Sequence, residues 1–394
     1  MGLGYIGLPT AAIVASKNIH VVGVDINSEV VNTINQGKIH IVEPSLQNLV
    51  KDVVEKGMLK ASLKPEVADA FFIVVPTPFK QNHRADISHV ESATRMVIPY
   101  LKEGNLFVIE STSPVSTTEK MAEIIYKDRP ELKNKISIAY CPERVLPGNV
   151  LYELEYNDRV IGGLNPEASN KAKEFYSQFV KGQLHITNAR TAEMCKLTEN
   201  SSRDIQIAFA NELSIICDKA GINVWELIKL ANKHPRVNIL QPGCGVGGHC
   251  IAVDPWFIVS DFPEQAHLIK RARETNDYKA DWCVNKVLEE CKIFTQRTNQ
   301  EPVVACMGLA FKPDIDDLRE SPAKYITTRI ITEAKADVLV VEPNILINNR
   351  FKLCNFQEAY NKADIIVWLV RHKEFIELPH IDGKIELDFC GVKK

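Results

Sequence analysis

The stretch Gly2-Leu3-Gly4-Tyr5-Ile6-Gly7, followed by the apolar run Val21-Val22-Gly23-Val24 and then Asp25, decides how this chain is read. The three glycines fit G-x-G-x-x-G. That spacing gives a tight turn, a close backbone approach to a pyrophosphate, and a helix packed against a sheet. The phosphates sit at the N-terminus of that helix, where N–H groups and the helix dipole favour negative charge. Tyr5 and Ile6 fall within the same turn and count with it as cofactor contacts. Asp25 closes the apolar run, where a carboxylate accepts a bond from a ribose 2′-hydroxyl and repels a 2′-phosphate. NAD is therefore expected rather than NADP. The plain alternative is a glycine turn beside a surface acid. The fingerprint also requires a strand directly before it. Only Met1 precedes Gly2, so the sheet is expected to lack its first strand.

Outward from that stretch the chain keeps an α/β rhythm. Short β-rich runs at 19–24, 70–75, 106–110, 136–140 and 159–161 alternate with helical stretches. Several are continuously apolar, as in a parallel sheet covered on both faces. Residues 191–219 contain neither Pro nor Gly, and Gly221 offers a helix stop. This predicts one helix of roughly 40 Å at about 1.5 Å per residue, long enough to join domains or pack against a partner subunit. More helix is expected at 224–232 and within 263–298. From Pro302 the strand-helix rhythm returns, with strands expected at 303–307, 337–341, 365–369 and 385–388. The expected fold is α/β: two Rossmann-like doubly wound domains joined by a long central helix and a helical middle region. The expected boundaries are 1–186 for the NAD-binding domain, 187–298 for the helical region and 299–394 for the C-terminal domain.

Composition narrows the class. The 394 residues are too many for one ordinary core. A net charge of −3 gives no reason to expect nucleic acid or an anionic membrane as partner. No apolar stretch approaches a membrane span, and no signal peptide opens the sequence. The ten cysteines are scattered without a CxxC pair, as in a reducing cytosol. A cytoplasmic protein is expected, most of whose thiols are buried apolar residues.

One thiol stands apart. Cys250 lies in Gly243-Cys244-Gly245-Val246-Gly247-Gly248-His249-Cys250-Ile251-Ala252-Val253-Asp254-Pro255. Glycines let a backbone approach a ligand closely, and a thiolate there can attack a carbonyl carbon. With a dinucleotide site, this suggests oxidation through a covalent thio-intermediate. No metal is expected, because the adjacent His249 and Cys250 point apart and no second pair lies nearby. Lys196, Asn200 and Arg203 fall at i, i+4 and i+7, on one helical face. They suit a diphosphate or an oxyanion, or form a solvated face. Glu143, in Tyr140-Cys141-Pro142-Glu143-Arg144, lies beyond the C-terminal end of an expected strand. So does Thr112, in Glu110-Ser111-Thr112-Ser113-Pro114. Open α/β sheets bind ligands there, though ordinary loop polarity and capping explain such residues equally well.

Nearly the whole chain resembles the UDP-glucose/GDP-mannose dehydrogenase family. The resemblance rests on GLGYIGLP at 2–9, VPTP at 75–78, ESTSP at 110–114, AEMCKLTEN at 192–200, GVGGHC at 245–250 and GLAFKPDIDDLRESP at 308–322. The UDP-glucose branch of the family reads GGSCFPKD around its nucleophile. Here His249 replaces the Ser and Val253 the Lys, and Gln206 stands where those enzymes often carry Lys, so the N-acetylhexosamine branch is the nearer one. The resemblance implies Cys250 as nucleophile and Lys196 as the stabiliser of an oxyanion. It implies that Asp254 and Thr112 organise the reactive water or alcohol, and that Glu143 serves thioester hydrolysis. It places Arg144, Val145, Lys196, Asn200, Arg203, Gly247, Phe311 and Lys312 against the sugar nucleotide, and Thr77, Thr112 and Arg319 near the cofactor. His234 and Arg236 match a segment that reaches substrate across a homodimer. The implied reaction is the four-electron oxidation by NAD of the C6 alcohol of a UDP-N-acetylhexosamine, UDP-N-acetyl-D-mannosamine first, for bacterial surface polysaccharides. UDP-N-acetylglucosamine and UDP-glucose remain rival substrates, and a non-catalytic sugar-nucleotide binder remains a rival function.

Overall fold

The runs Ala70-Phe71-Phe72-Ile73 and Leu106-Phe107-Val108-Ile109 are apolar on both sides of the pleat, so they suit only a sheet covered on both faces. A computed structural model, which describes residues 1–80, 83–145 and 148–394, builds such a sheet. The chain forms two units, Met1–Thr198 and Glu199–Lys394.

The first unit contains β1 (Val21–Val24), β2 (Leu59–Ser62), β3 (Ala70–Ile73), β4 (Leu106–Ile109), β5 (Ser137–Tyr140), β6 (Arg159–Gly163) and β7 (Leu184–Asn188). Its helices are α1 (Gly7–Ser16), α2 (Ser28–Asn35), α3 (Leu46–Glu55), α4 (Ser88–Val97), α5 (Thr117–Asp128), α6 (Val150–Tyr156) and α7 (Pro166–Tyr176). β1 and β2 pair in parallel, and a second sheet runs β3-β4-β5-β6-β7. All its pairs are parallel except β5–β6. Apolar patterning does not reveal that reversal, because either direction carries the same side chains in a doubly covered sheet. One layer of core joins Phe71, Ile73, Phe107 and Ile109 to Val90, Val97, Met121 and Ile125 of α4 and α5. The opposite layer joins Val108, Ala139 and Ile161 to Val14, Leu154 and Tyr176. Each fully buried large aliphatic side chain contributes about 1.5–3 kcal/mol.

No described strand precedes α1. Met1 and Gly2 instead hold a place between the two sheets. The Met1 amine donates to Phe72 O (2.8 Å), Val74 N donates to Met1 O (2.8 Å), and Gly2 N donates to Val24 O (2.7 Å). The glycine turn is thus tied to β3 on one side and β1 on the other.

α8 (Ala189–Ala220) begins in the first unit and continues through the second. Asn188 Oδ1 caps its start by accepting from Thr191 N (2.9 Å). Gly221 ends it at φ +66°, with Ile222 N donating back to Cys217 O (2.9 Å) in a Schellman pattern. The second unit adds α9 (Val224–Ala231), α10 (Asp254–Asp261), α11 (His267–Thr298), β8 (Val303–Met307), α12 (Pro322–Glu333), β9 (Asp337–Val341), α13 (Phe356–Lys362), β10 (Ile365–Trp368), α14 (Lys373–Ile376) and β11 (Ile385–Asp388). Its sheet is wholly parallel, in the order β11-β10-β8-β9. Val304, Cys306 and Val367 pack on α11 and α12, while Ala305, Met307 and Trp368 pack on Tyr360 and Phe375. Successive strand residues therefore serve opposite layers. Among the described residues no helix is long and apolar enough to cross a membrane.

Candidate active site

The glycine turn of the first unit is closed on two sides and open on the third. A Cβ on Gly2 would lie 2.3 Å from Val74 O, and one on Gly7 would lie 1.9 Å from Gly2 O. A Cβ on Gly4 would meet nothing within 4 Å, and Gly4 and Tyr5 are exposed beside the half-buried Ile6. Gly2 and Gly7 make the turn possible, and Gly4 leaves its outer face bare at the N-terminus of α1. These residues fit a pyrophosphate. Asp25 is already engaged. Its Oδ2 accepts from Leu3 N and its Oδ1 from Asn27 N, each at 2.9 Å. A carboxylate oxygen has two acceptor positions, so one remains on each for a ribose hydroxyl. The loops beyond β3 and β4 are stitched together: Thr77 Oγ1 donates to Thr112 O (2.6 Å), and Val75 N donates to Ser111 Oγ (2.9 Å). Thr77 and Thr112 therefore lie together.

Beyond β5, Glu143 is the visible end of a buried polar network. Its Oε1 accepts from Arg144 N (2.5 Å) and its Oε2 from Arg159 Nη1 (3.2 Å). Arg159 Nη1 lies 3.9 Å from Glu110 Oε1, which accepts from Tyr176 Oη at 2.5 Å. Burial pushes the Glu110 carboxyl up to about 7, against the pull of Arg159. Burial pushes the neighbouring Cys141 thiol to about 12, which leaves it an unreactive thiol. Glu43 ties down the far end of the same loop, accepting from Gly148 N (2.9 Å) and Val150 N (2.7 Å). Arg144 and Val145 sit half-buried between these anchors. On α8, Glu193 accepts from Ser116 N, Thr118 N and Thr118 Oγ1 at 2.6–2.8 Å. It thus anchors the helix to the start of α5. Three residues on, Lys196 is half-buried, and no polar partner of its ammonium is found among the described residues.

In the second unit Cys250 opens the turn that becomes α10. Its carbonyl accepts from Val253 N (3.0 Å) and Asp254 N (2.8 Å). The thiol is partly exposed. It stands one turn before a helix N-terminus, where backbone dipoles favour developing negative charge. Asp254 is 3% exposed and accepts from Asn200 Nδ2 at 2.5 Å. Asn200 and Asp254 are thus brought together, while Arg203 on the next turn of α8 is exposed. The glycines before Cys250 face protein. A Cβ on Gly247 would lie 2.5 Å from Glu320 O and 2.7 Å from Phe311 Cβ, and one on Gly248 would lie 2.8 Å from the Phe311 ring. Gly248 N donates to Arg319 O (3.1 Å). These glycines are expected to let the backbone approach a ligand, and they also pack closely on the 309–322 loop, which carries the exposed Lys312. Arg319 Nε and Nη2 form a fork on Asp317 at 2.6–3.0 Å. His234 and Arg236 lie exposed just after α9.

Three stretches match descriptions of one family: its NAD binding domain at residues 1–180, its central domain at 190–278 and its UDP binding domain at 305–391. The chain belongs to the UDP-glucose/GDP-mannose dehydrogenase family. A UDP-N-acetyl-D-mannosamine dehydrogenase of Campylobacter jejuni is 57% identical over 96% of each chain. An NDP-N-acetyl-D-galactosaminuronic acid dehydrogenase of Ralstonia nicotianae is 52% identical over 100% of this chain and 95% of that one. The solved UDP-D-ManNAc dehydrogenase of Pyrococcus horikoshii superposes with a TM-score of 0.89 at 39% identity, over 100% of this chain and 95% of that one. This chain is an NAD-dependent UDP-sugar dehydrogenase of α/β architecture, as expected from the sequence.

Several residues of this dehydrogenase went unrecognised in the sequence: Arg159, Tyr176, Glu43 and Asn211. Asn211 Oδ1 accepts from Gly243 N (2.9 Å) and so fixes the start of the cysteine loop. Arg159 alone carried a signal, being a charge at the head of an otherwise apolar strand. Burial pushes the Cys244 and Cys306 thiols to about 12 and Cys291 to about 11, so these thiols are inert. Asp314, His372 and Glu374 bring ligand atoms within 4.8 Å of one another. Yet His372 Nδ1 accepts from Asp314 N (3.0 Å), and its Nε2 faces Glu342 Oε2 at 3.2 Å. Both ring nitrogens are committed, and the group is a hydrogen-bonded cluster.

Proposed function

We propose that this dehydrogenase oxidises the C6 alcohol of UDP-N-acetyl-D-mannosamine to the carboxylate. Support comes chiefly from the Campylobacter relative, 57% identical over nearly the full length. NAD, when bound, accepts a hydride at each of the two oxidation stages. Cys250 adds to the C6 aldehyde, and the resulting thiohemiacetal is oxidised to a thioester that water cleaves. Lys196 stabilises the developing oxyanions. Asp254, oriented by Asn200, and Thr112 place the reacting alcohol or water, and Glu143 assists hydrolysis. Arg144, Val145, Asn200, Arg203, Gly247, Phe311 and Lys312 hold the sugar nucleotide. Gly2, Gly4, Tyr5, Ile6, Gly7, Asp25, Thr77 and Arg319 hold NAD.

A homodimer through α8 is part of the same proposal. Phe209 (56% exposed) and Ile216 (54%) leave an apolar stripe on that helix, and His234 and Arg236 would serve the partner's substrate. We place the enzyme in the cytoplasm, in surface-polysaccharide synthesis, with 187–298 as the helical dimerisation region and 299–394 as the sugar-nucleotide domain. The test measures NADH and uronate formed from the UDP derivatives of N-acetylmannosamine, N-acetylglucosamine, N-acetylgalactosamine and glucose. A kcat/KM highest for any other than N-acetylmannosamine refutes the substrate. Cys250→Ser should bind sugar nucleotide and make no acid, and wild-type turnover in that variant refutes the covalent route.

A further inference from the structure

We propose that Arg159, braced by Glu110 and Tyr176, is a positioning residue that aims the Glu143 carboxylate during thioester hydrolysis. This rests on the hydrolytic role of Glu143 stated above. Arg159 heads β6, and its side chain is 3% exposed. A guanidinium buried that far is costly unless it is paired, and an apolar residue at the same place would often be as stable. Its partners are therefore informative. Nη1 donates to Glu143 Oε2 (3.2 Å) and Nη2 to Leu154 O (3.4 Å), and the guanidinium carbon sits 5.4 Å from the centre of the Tyr176 ring. Glu110, with its side chain wholly buried, lies 3.9 Å behind Nη1 and is itself held by Tyr176 Oη at 2.5 Å. Glu110 Oε2 has no hydrogen-bond partner among the described residues. Glu110, Leu154 O and the Tyr176 ring thus hold the guanidinium in one place, from which Nη1 reaches Glu143.

The consequence falls on the Glu143 carboxylate. One oxygen is fixed by Arg144 N (2.5 Å) and the other by Arg159, so its plane is set and one lone pair on each oxygen stays available. In the hydrolytic step the water oxygen bonds to the thioester carbonyl carbon. The C–S bond breaks with its electron pair on the Cys250 sulfur, Glu143 takes up the water's proton and returns it to solvent, and the thiolate is protonated from solvent. Acid and thiol result, with no net oxidation. A base must be aligned to act. Glu110 also directly precedes the loop of Thr112, so one brace serves two neighbouring strand ends.

The test follows acyl-Cys250 by intact-mass spectrometry of the full chain, quenched during steady turnover with sugar nucleotide and NAD. Arg159→Lys keeps the charge and loses the fork. We expect its kcat to fall about ten- to a hundredfold, short of the ~10²–10⁴ for outright loss of a base. Both KM values should fall with kcat, leaving kcat/KM within about twofold of the parent's, because the slowed step follows thioester formation. Acyl-enzyme should accumulate, and a burst of two NADH per site should precede the slow phase. Glu143→Gln is the reference and should accumulate the same adduct. A slow Arg159→Lys without adduct, beside an accumulating Glu143→Gln, overturns the positioning role. No adduct in Glu143→Gln means that Glu143 does not serve hydrolysis, and the proposal falls with that role. Should Arg159→Lys fail to fold, Tyr176→Phe removes one oxygen and loosens the same brace. Adduct occupancy in it equal to the parent's also overturns the proposal.

Discussion

Gly4→Ala separates a glycine kept for a ligand from one kept for the fold. The added methyl group meets no atom within 4 Å, and Gly4 is not in the left-handed region. Folding stability should therefore stay within about 0.5 kcal/mol, or rise slightly because alanine restricts the unfolded chain. Gly7→Ala is the control. Its methyl would sit 1.9 Å from Gly2 O, a backbone atom that cannot swing away, and such overpacking costs about 1–3 kcal/mol. The order should invert for NAD. A pyrophosphate against the bare face of the turn is pushed outward by the Gly4→Ala methyl. Losing one charge-assisted bond from the turn's N–H groups, about 1.5–3 kcal/mol, weakens NAD about ten- to a hundredfold. Thermal melting and NAD titration of parent and both variants give the comparison. Gly4→Ala that melts with the parent and binds NAD as tightly refutes the placement of pyrophosphate on this turn.

Asp25→Asn should raise the KM for NAD and narrow the preference over NADP, with the sugar-nucleotide KM unchanged. It removes a charge that the N–H groups of Leu3 and Asn27 share and that the ribose of NAD would share. An unmutated enzyme that prefers NADP would contradict the assignment. Gly247→Ala puts a methyl group 2.5 Å from Glu320 O, so its melting temperature should drop by several degrees for a cost of about 1–3 kcal/mol. Unchanged melting would mean that the 309–322 loop yields easily. Glu110 gives a pH signature. Its pKa is raised from 4.5 to about 7 by burial, so the folded state binds the extra proton. The stability linked to that proton is full below about 4.5 and is lost as pH rises through about 7. Melting from pH 5 to 8 should show this decline, and Glu110→Gln should flatten it. An equal slope in both proteins would remove Glu110 as its source.

Sequence patterning located what depends on single segments. The strands at 303–307 and 337–341 appear with those bounds, because the first is an unbroken apolar run and the second is apolar throughout after Asp337. β2 escaped notice because Leu59-Lys60-Ala61-Ser62 alternates over only four residues. β7 escaped because Leu184-His185-Ile186-Thr187-Asn188 is a half-exposed edge. α10 was hidden behind the cysteine motif and is two turns long. Cys250 and Asp254 were legible because their chemistry is written locally. The Asn200–Asp254 bond, and the chain of contacts from Tyr176 through Glu110 and Arg159 to Glu143, were not. Each joins residues far apart in sequence, and no periodicity encodes which buried charge will find which partner.

The two glycine clusters show why residue type alone does not fix a role. Gly4 faces open space, whereas Gly245, Gly247 and Gly248 face Pro322, Glu320 and Phe311. The first arrangement leaves room for a ligand, and the second lets one loop of the protein lie on another. That packing joins functions within the second unit. Glu342 Oε2 accepts from Leu309 N (2.8 Å) and Ala310 N (2.9 Å), and His372 braces it from behind. The next residues are Phe311, pressed on Gly247 and Gly248, and Lys312, assigned to the nucleotide. Two residues beyond Gly248 stands Cys250. Phe311 lies against the backbone of Gly247 and Gly248, so the 309–322 loop and the loop carrying the thiol hold each other in place. On the proposed assignment of Lys312 to the nucleotide, substitutions that loosen Phe311 are expected to lower kcat more than they raise KM, because binding energy at the nucleotide end would be spent on orientation at the reacting carbon.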